Sequence, residues 1–518
     1  MNSTDITPRA TRREWIGLLA IALPCMVVVM DLTVLHLAIP SITVDLQPSP
    51  SQLLWIVDIY GFLLAGSLIT MGTLGDRIGR RKLLLIGGAA FAAASVLAAF
   101  STSAGMLIAA RAILGIAGAT LAPSTLSLIR SMFHDAGQRT QAIAFWGTSF
   151  AAGSALGPLV GGFLLEHFWW GAVFLVPVPV MALLLILGPR LLPEYRDPNA
   201  GRLDTTSAAL SIIAVLAVIY GLKLFAQDGL GWMPVMSVAV GLGLGVWFVR
   251  RQQHLAHPLI DLKLFRVPAF STTLVVFMLN AFVMFAASFF AAQYFQLVLG
   301  LSPLHAGIWT LPAAVSVIIG TTLSPRLVRL ASRTVVIIAG LVVCTLGFGV
   351  LMLVGYGGLA ALVIGSVITG LGAGPLAALI PDVIVGSAPP EGAGSAASIS
   401  STSVEFGGAL GLALLGSVGV AVYKLTMTGA IPASVTPESA LIAGETLGGA
   451  VAVARDLPPD VSAQLLQAAH TAFAQAFVTS AGICAALMLF AALLMAVVTA
   501  RRSNPQGVQT VPADAQSR

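Results

Sequence analysis

Fourteen runs of about twenty apolar residues follow one another along the chain, with short polar stretches between them. A helix needs about 20 apolar residues to cross the hydrocarbon core of a bilayer. The runs are continuous and do not alternate every second residue, which disfavours a transmembrane β-barrel. The sequence therefore predicts an all-α polytopic membrane protein. The predicted spans cover residues about 15–38, 52–72, 83–100, 105–128, 141–164, 171–192, 206–225, 233–249, 270–293, 304–323, 334–355, 358–380, 396–422 and 473–499.

The shortage of charge supports this class. Only 9% of the 518 residues are charged and 57% are hydrophobic, whereas a soluble domain has about 25% charged residues. Such a chain cannot cover a water-exposed surface, which excludes a soluble protein. The three cysteines each lie within an apolar run, so we expect small buried hydrophobes and no metal site.

The basic residues are distributed unequally between the two sides that fourteen spans define. Of the 26 Lys and Arg residues, 22 fall on the side of both termini, three fall on the other side, and Arg111 falls inside a span. Lys and Arg are enriched in cytoplasmic loops. The count predicts a multi-pass protein of the cell inner (cytoplasmic) membrane with both termini in the cytoplasm. It also explains the net charge of +5 without nucleic acid as a partner.

An internal repeat predicts the domain organisation. At an offset of 249 residues, the loop after span two and the loop after span ten share a Thr-Leu pair and two Arg positions, from Thr73 to Arg80 and from Thr322 to Arg329. Parallel six-span halves around a midplane site are a transporter architecture. The predicted parts are a cytoplasmic N-terminus (1–14), an N-terminal six-helix bundle (15–192), two inserted helices with flanking loops (193–269), a C-terminal six-helix bundle (270–500) and a cytoplasmic tail (501–518).

The longest hydrophilic stretch, about 424–472, lies between the last two spans on the outer side. Ala-rich periodicity on both sides of Pro458-Pro459 suggests a short helical hairpin there. A surface loop with no part in transport is an equally open interpretation.

Several motifs resemble those of one transporter family. They are Met30–Pro40 in span one, Trp55–Tyr60 in span two, Gly72–Lys82 after it, Leu107–Gly118 in span four, Gly153–Gly162 in span five and Gln296–Gly307 after span nine. On these residues the chain resembles the major facilitator superfamily, and within it the fourteen-spanner drug:proton antiporters, which include quaternary-ammonium and multidrug efflux pumps. The resemblance covers nearly the whole chain. It implies the major facilitator fold, with two six-helix bundles and two inserted helices.

The resemblance also implies a function, which is proton-coupled efflux of amphipathic cations such as quaternary ammonium antiseptics and dyes by alternating access. No Walker-type phosphate loop occurs, so we expect the proton gradient as the energy source and no cofactor. We also expect a monomer in the lipid bilayer. The first alternative is a proton-coupled exporter of a specific metabolite, lipid or peptide. A membrane-embedded enzyme is remote, because the seven histidines are scattered.

Four ionisable residues lie well inside predicted spans, where such groups are costly and are functional candidates. Asp31, Asp58 and Arg111 all fall in the outer half of the membrane at 1.5 Å per residue. A guanidinium near two carboxylates can keep one ionised and can change the proton affinity of the other. We therefore predict that Asp31, Asp58 or both carry the proton, tuned by Arg111. The alternative is a static buried ion network.

The fourth residue, Glu405, lies near the midplane of span thirteen behind a polar, low-bulk stretch. A carboxylate facing a cavity attracts a lipophilic cation, so we predict that Glu405 recognises the charge of the substrate together with Asp31. A purely structural hydrogen-bonding acid is the alternative. Aromatic cavity surface for cation–π contact is expected from Trp146, Phe285, Phe289 and Trp309, although each one alone has core or lipid packing as its alternative.

Two segments are predicted to act in gating. In the loop after span two, Gly72, Asp76, Arg77, Gly79 and Arg80 would form a latch at the cytoplasmic rim, where simple positive-inside anchoring is the alternative for the basic residues. In span five, small residues permit close helix packing and a proline permits a bend. The span-five residues are Gly153, Gly157, Pro158 and Gly161.

Overall fold

The computed structural model describes residues 9–194, 196, 204–228, 231–255, 262, 264–387 and 393–503, which form helices and no strand. The helices are α1 (Arg12–Leu46), α2 (Pro50–Ile78), α3 (Arg80–Ala99), α4 (Ala104–Gly118), α5 (Leu121–Met132), α6 (Ala136–His167), α7 (Pro177–Leu191), α8 (Thr205–Asp228), α9 (Trp232–His254), α10 (Pro268–Gln293), α11 (Pro303–Leu330), α12 (Arg333–Leu351), α13 (Val354–Gly386), α14 (Ala393–Met427), α15 (Pro437–Glu445), α16 (Leu447–Ala454) and α17 (Pro459–Ser503).

Thirteen helical stretches in the described part of the chain are long and apolar enough to cross a membrane. One of them, Ala104–Ile129, consists of α4 and α5 in succession. The 24-residue helix α8 has a shorter apolar part, Thr206–Val218, and completes the set of fourteen. The predicted fold class, an all-helical polytopic membrane protein with fourteen spans, is confirmed.

Local sequence determines where the helices begin. Thr11 caps α1 and Ser49 caps α2, each in a capping box with the residue three positions later, Glu14 or Gln52. Pro50 occupies the first turn of α2, where its missing N–H costs no hydrogen bond. These caps fix the start of both helices that carry the predicted acids of the first half.

The helices pack as two halves and an inserted pair. Helices α1–α7 pack mainly on one another and form the first half, and α10–α14 with α17 form the second half. Contacts such as that of the Arg13 side chain with the Arg190 carbonyl hold the start of α1 beside the end of α7. We call this side the terminal face, because α1 begins there and α17 ends there.

Helices α8 and α9 form a hairpin that packs on α2 and α14. At the terminal face, Arg251 donates two hydrogen bonds of 3.0 Å to the Asp204 carboxylate. This guanidinium lowers the pKa of the Asp204 carboxyl to about 2. Gly66 on α2 allows α8 to approach closely, because a Cβ there would lie 2.8 Å from Ile212. The hairpin thus covers one side of the junction between the halves.

Helices flank Pro458-Pro459, as the sequence indicates, but they do not form a separate short hairpin. The short helices α15 and α16 precede the prolines, and Pro459 is the first residue of the 45-residue helix α17. The predicted last span, about 473–499, is therefore too short at its outer end. Proline is well suited to the first turn of a helix, and the Ala-rich segment after it contains no residue that would interrupt the helix.

Candidate functional site

A buried ion pair joins α1 to α4. The Arg111 guanidinium donates a hydrogen bond from Nη1 to the Asp31 carboxylate, and the side chains are 0% and 3% exposed. The Arg111 Nε donates to the Ile56 carbonyl at 3.2 Å, and its guanidinium lies 4.5 Å from the centre of the Tyr60 ring. The Nη2 atom is buried and has no acceptor among the described residues. Arg111 therefore holds three helices together, and its Nη2 atom is left to donate.

Small residues on α4 make this geometry possible. A Cβ at Gly115 would lie 2.5 Å from the Tyr60 carbonyl oxygen, and one at Gly118 would lie 2.8 Å from Leu64. The backbones of α4 and α2 can consequently approach closely enough for Arg111 to reach the Ile56 carbonyl. The Tyr60 hydroxyl donates to the Val28 carbonyl at 3.4 Å and ties α2 to α1.

Beside this pair lies a cavity between the two halves, which we call the central cavity. Asp58 and Arg111 line it from the first half, and Glu405 lines it from the second. It offers about 20 Å³ to water centres, which is space for about one water molecule. The rest of its lining is Leu32, Leu35, His36, Val57, Gly61, Phe285, Gly408, Ala409 and Leu412.

The structure thus brings together the four ionisable residues that the sequence singles out. Asp58 is 1% exposed and lies more than two turns inside α2, which begins at Pro50. Asp31 reaches the site through Arg111. Glu405 comes close because a Cβ at Gly61 would lie only 3.1 Å from the Cβ of Ala409, one turn after Glu405 on α14. His36, whose neighbour in the structure is the Phe289 ring at 6.0 Å, is also part of the lining.

The four predicted aromatic residues do not share one location. Phe285 lines the central cavity, and Phe289 lies next to it against His36. Trp146 lies outside the lining and donates from Nε1 to the Thr125 hydroxyl at 3.0 Å. Trp309 also lies outside it and is 38% exposed. The structure therefore places two of the four at the site.

The loop between α2 and α3 is attached to the end of α7 within the first half. Gly79 has φ 112°, a conformation that favours glycine, and a Cβ there would lie 2.5 Å from the Glu194 carboxylate. Glu194 accepts a hydrogen bond from the Arg81 N–H at 3.1 Å and pairs with the Arg81 guanidinium at 3.4 Å. No sequence pattern predicts a role for Glu194, because an acid in a short loop carries no distinctive signal.

The other predicted loop residues surround this contact. Gly72 faces Pro123 at the start of α5, Arg80 is buried, and the Arg77 carbonyl accepts a hydrogen bond from Arg196 at 3.2 Å. The Asp76 side chain lies outside the described residues, so the structure leaves its part in a latch as a prediction.

The glycines of α6 pack on α1. A Cβ at Gly153 or Gly157 would overlap Met26 or Thr33, and one at Gly161 would lie 2.7 Å from Val34. On the other side of α6, a Cβ at Gly307 of α11 would overlap the Pro158 carbonyl. The predicted span-five residues are thus packing surfaces toward α1 and toward the second half.

Contacts between the halves lie toward the face opposite the termini. The Gln296 amide donates to the Leu37 carbonyl at 3.1 Å, and the Ser302 hydroxyl donates to the Glu166 carboxylate at 3.2 Å. A Cβ at Gly162 would lie 2.6 Å from the Pro303 carbonyl oxygen. We call this set of contacts the seam. It joins the two halves between the central cavity and that face.

Comparison with known proteins places the chain among membrane transporters. The Major Facilitator Superfamily model matches residues 21–412. The multidrug efflux pump LfrA of Mycolicibacterium smegmatis is 46% identical over 97% of this chain and 99% of that protein. The methyl viologen resistance protein SmvA of Salmonella typhimurium is 34% identical over 89% and 93%. The tetracenomycin C resistance and export protein of Streptomyces glaucescens is 31% identical over 95% and 93%.

Solved structures are similar in fold. An inward-facing, unoccupied bacterial homologue of the human lysosomal transporter Spinster superposes with a TM-score of 0.63 at 17% identity, covering 94% of this chain and 98% of that chain. The peptide transporter POT in complex with sulfate gives 0.59 at 18% identity, with 94% of each chain covered. At these identities the likeness shows the arrangement of helices alone.

Proposed function

Since the chain belongs to the major facilitator superfamily, and is thus a multi-pass membrane transporter and not an enzyme, we propose that it exports amphipathic cations in exchange for protons. Relatives named for multidrug efflux and for methyl viologen resistance support drug export. The observation that carries the proposal is the charge of the central site. Asp58, Glu405 and Arg111 line one small cavity, and Asp31 pairs with Arg111.

The site has more carboxylates than cations. With Asp31, Asp58 and Glu405 ionised and Arg111 the only permanent cation, it carries two negative charges in excess. Uncompensated charge is expensive to bury in a membrane protein. The cavity can close only when protons or an organic cation supply the missing positive charge. Protons and cations therefore compete for the same carboxylates, which is the condition for antiport.

We assign different tasks to the acids. Asp31 stays paired with Arg111, and we assign the exchange to Asp58 and Glu405. Glu405 pairs with the charged substrate, and Asp58 takes the incoming proton and passes it to Glu405 after the cation has left. The buried Nη2 of Arg111 has no acceptor among the described residues and can turn toward Asp58 when the proton leaves. Phe285 offers an aromatic face for the cation.

The seam provides the conformational part of the cycle. With the seam closed, as in this structure, a substrate reaches the cavity from the terminal face, which the excess of basic residues assigns to the cytoplasm. Opening the seam and closing the terminal face releases it on the other side. The transporter would work as a monomer in the inner membrane, driven by the proton gradient.

The test is ethidium efflux from proteoliposomes under an imposed pH gradient. Wild type and Glu438→Gln, an exposed acid on α15 away from the central cavity, are expected to respond equally to the gradient. Asp58→Asn is expected to bind ethidium and to lose the response to the pH gradient, because the proton no longer reaches Glu405 through Asp58. Glu405→Gln is expected to lose ethidium binding in the central cavity and, with it, ethidium efflux.

Two results would overturn the proposal. Wild-type protein that moves no cation under any pH gradient would favour export of a specific metabolite, lipid or peptide instead. Asp58→Asn with gradient-driven efflux equal to wild type would remove Asp58 from proton coupling.

A further inference from the structure

A second cavity lies between the central cavity and the face opposite the termini. We call it the outer pocket. Its lining comes from both halves and from residues 445–448, which connect α15 to α16. It offers about 50 Å³ to water centres, against about 20 Å³ for the central cavity. None of its lining residues belongs to the lining of the central cavity.

On three helices, the outer pocket lies one helical turn from the central cavity, toward the face opposite the termini. On each helix, one residue lines the central cavity and the residue four positions away lines the outer pocket. These pairs are Val57 and Leu53 on α2, Phe285 and Phe289 on α10, and Leu412 and Gly416 on α14. Four residues advance a helix by about 6 Å. A molecule that leaves the central cavity toward the opposite face therefore enters the outer pocket next.

The lining suits an aromatic cation. Four aromatic rings contribute to the wall, from Phe289, Phe290, Tyr423 and Phe473. Glu445 is the one charged residue of the lining, and no basic side chain pairs with it within the described part of the chain. Aromatic faces and an available carboxylate both attract organic cations.

The pocket is small in this structure because glycines let the two halves meet across it. A Cβ at Gly416 on α14 would lie 2.9 Å from Leu54 on α2, across the two halves. Within the second half, a Cβ at Gly419 would lie 2.6 Å from the Phe290 ring on α10. Because Leu54 and Gly416 lie on opposite halves, separation of the halves would widen the space. The segment that bears Glu445 stays with the second half, since the Tyr423 hydroxyl on α14 donates to the Ala443 carbonyl at 3.0 Å.

We propose that the outer pocket is a second binding site, which takes the aromatic, positively charged part of an exported cation after it leaves the central cavity. Glu445 then replaces Glu405 as the counter-ion, and Glu405 becomes available for the next proton. The direction of this movement rests on the proposed function, whereas binding in the pocket does not.

The experiment measures whether ethidium shields a cysteine in the pocket from a fluorescent maleimide. The three native cysteines are buried, and Val420→Cys places a thiol of similar size on the partly exposed lining. In purified protein in lipid nanodiscs, ethidium is expected to slow labelling of this thiol. Labelling of Leu441→Cys, 69% exposed on α15 outside the pocket, is expected to stay unchanged. Leu297→Cys, also on the lining, serves if Val420→Cys does not fold.

Charge variants in the Val420→Cys background locate the counter-ion. Glu445→Gln is expected to raise the ethidium concentration needed for protection about fivefold, the size expected for one partly solvated ion pair. Glu438→Gln removes the same charge from α15 outside the pocket and is expected to change nothing. Protection is expected to persist with Glu405→Gln, because the pocket binds independently of the central cavity.

Absence of protection, or protection that Glu405→Gln abolishes and Glu445→Gln leaves intact, would overturn the second site. Failure of the proposed function is a separate result. If wild type exports ethidium along a pH gradient but shows no protection, only the proposal of a second site is contradicted. Protection without gradient-driven efflux supports the pocket and contradicts proton-coupled export.

Discussion

Arg111 is the residue on which the buried charges of the first half depend. It is fully buried, pairs with Asp31, and donates to the Ile56 carbonyl from a position against the Tyr60 ring. A buried ion pair adds little net stability, because desolvation offsets most of the attraction, but removing one partner leaves a buried charge uncompensated. Variants of Arg111 and Asp31 can therefore show whether the pair matters for stability, for transport or for both.

Arg111→Met is expected to lower the free energy of unfolding by about 3–5 kcal/mol, since Asp31 loses its partner. Adding Asp31→Asn is expected to restore most of that stability, measured as the thermal unfolding midpoint in detergent, without restoring proton-coupled efflux. Arg111→Lys keeps the charge but not the planar fork, so it should show intermediate efflux. A double variant that transports like wild type would reduce the pair to a static network.

Among the helices, α6 and α11 meet at the seam through glycine. Gly162 of α6 faces the Pro303 and Leu304 backbone, which a Cβ would approach to 2.6 and 2.8 Å. Gly147 lies on the same helix, and a Cβ there would have nothing within 4 Å. Replacing either glycine by alanine changes helix propensity equally. Only the replacement at Gly162 also adds a contact at the seam, so comparing the two variants isolates the effect of the seam.

Gly162→Ala is expected to hinder closure of the seam, because a backbone contact cannot yield as a flexible side chain can. Overpacking of this kind costs about 1–3 kcal/mol, so ethidium efflux should fall about tenfold while ethidium binding persists. Gly147→Ala should export at the wild-type rate. Equal efflux by the two variants would show that the seam does not limit the cycle.

The sequence was sufficient to predict the fourteen spans, because length and apolar spacing fix them. Depth alone also indicated that Asp58 and Arg111 lie at one level. Packing sets the rotation of each helix about its own axis, and the apolar pattern of the sequence does not reveal that rotation. This is why Trp146 and Trp309 lie outside the central cavity while Phe285 lines it. The contacts of Glu194 and of residues 445–448 join segments far apart in sequence and left no local signal.

For the transporter as a whole, the charge of the central site constrains the exchange. The three acids and Arg111 leave two negative charges to be neutralised each time the cavity closes. In the proposed antiport, the returning form closes with two protons, and the exporting form closes with one monovalent cation and one proton. One cation then leaves for each proton that enters, and no net charge crosses the membrane. For a divalent cation, two protons enter and the exchange is again neutral.

Ethidium export by wild type is therefore expected to follow the pH gradient and to ignore the membrane potential. Proteoliposomes in which a potassium gradient with valinomycin sets the potential at fixed pH gradient provide the measurement. Asp58→Asn leaves one negative charge in excess, so a monovalent cation can still neutralise the closed cavity, whereas a divalent one such as methyl viologen leaves it positive. We expect this variant to bind ethidium normally and methyl viologen weakly. A wild-type rate that rises with potential at constant pH gradient would mean that the closed cavity carries charge across the membrane, because only a charged closed form responds to the field.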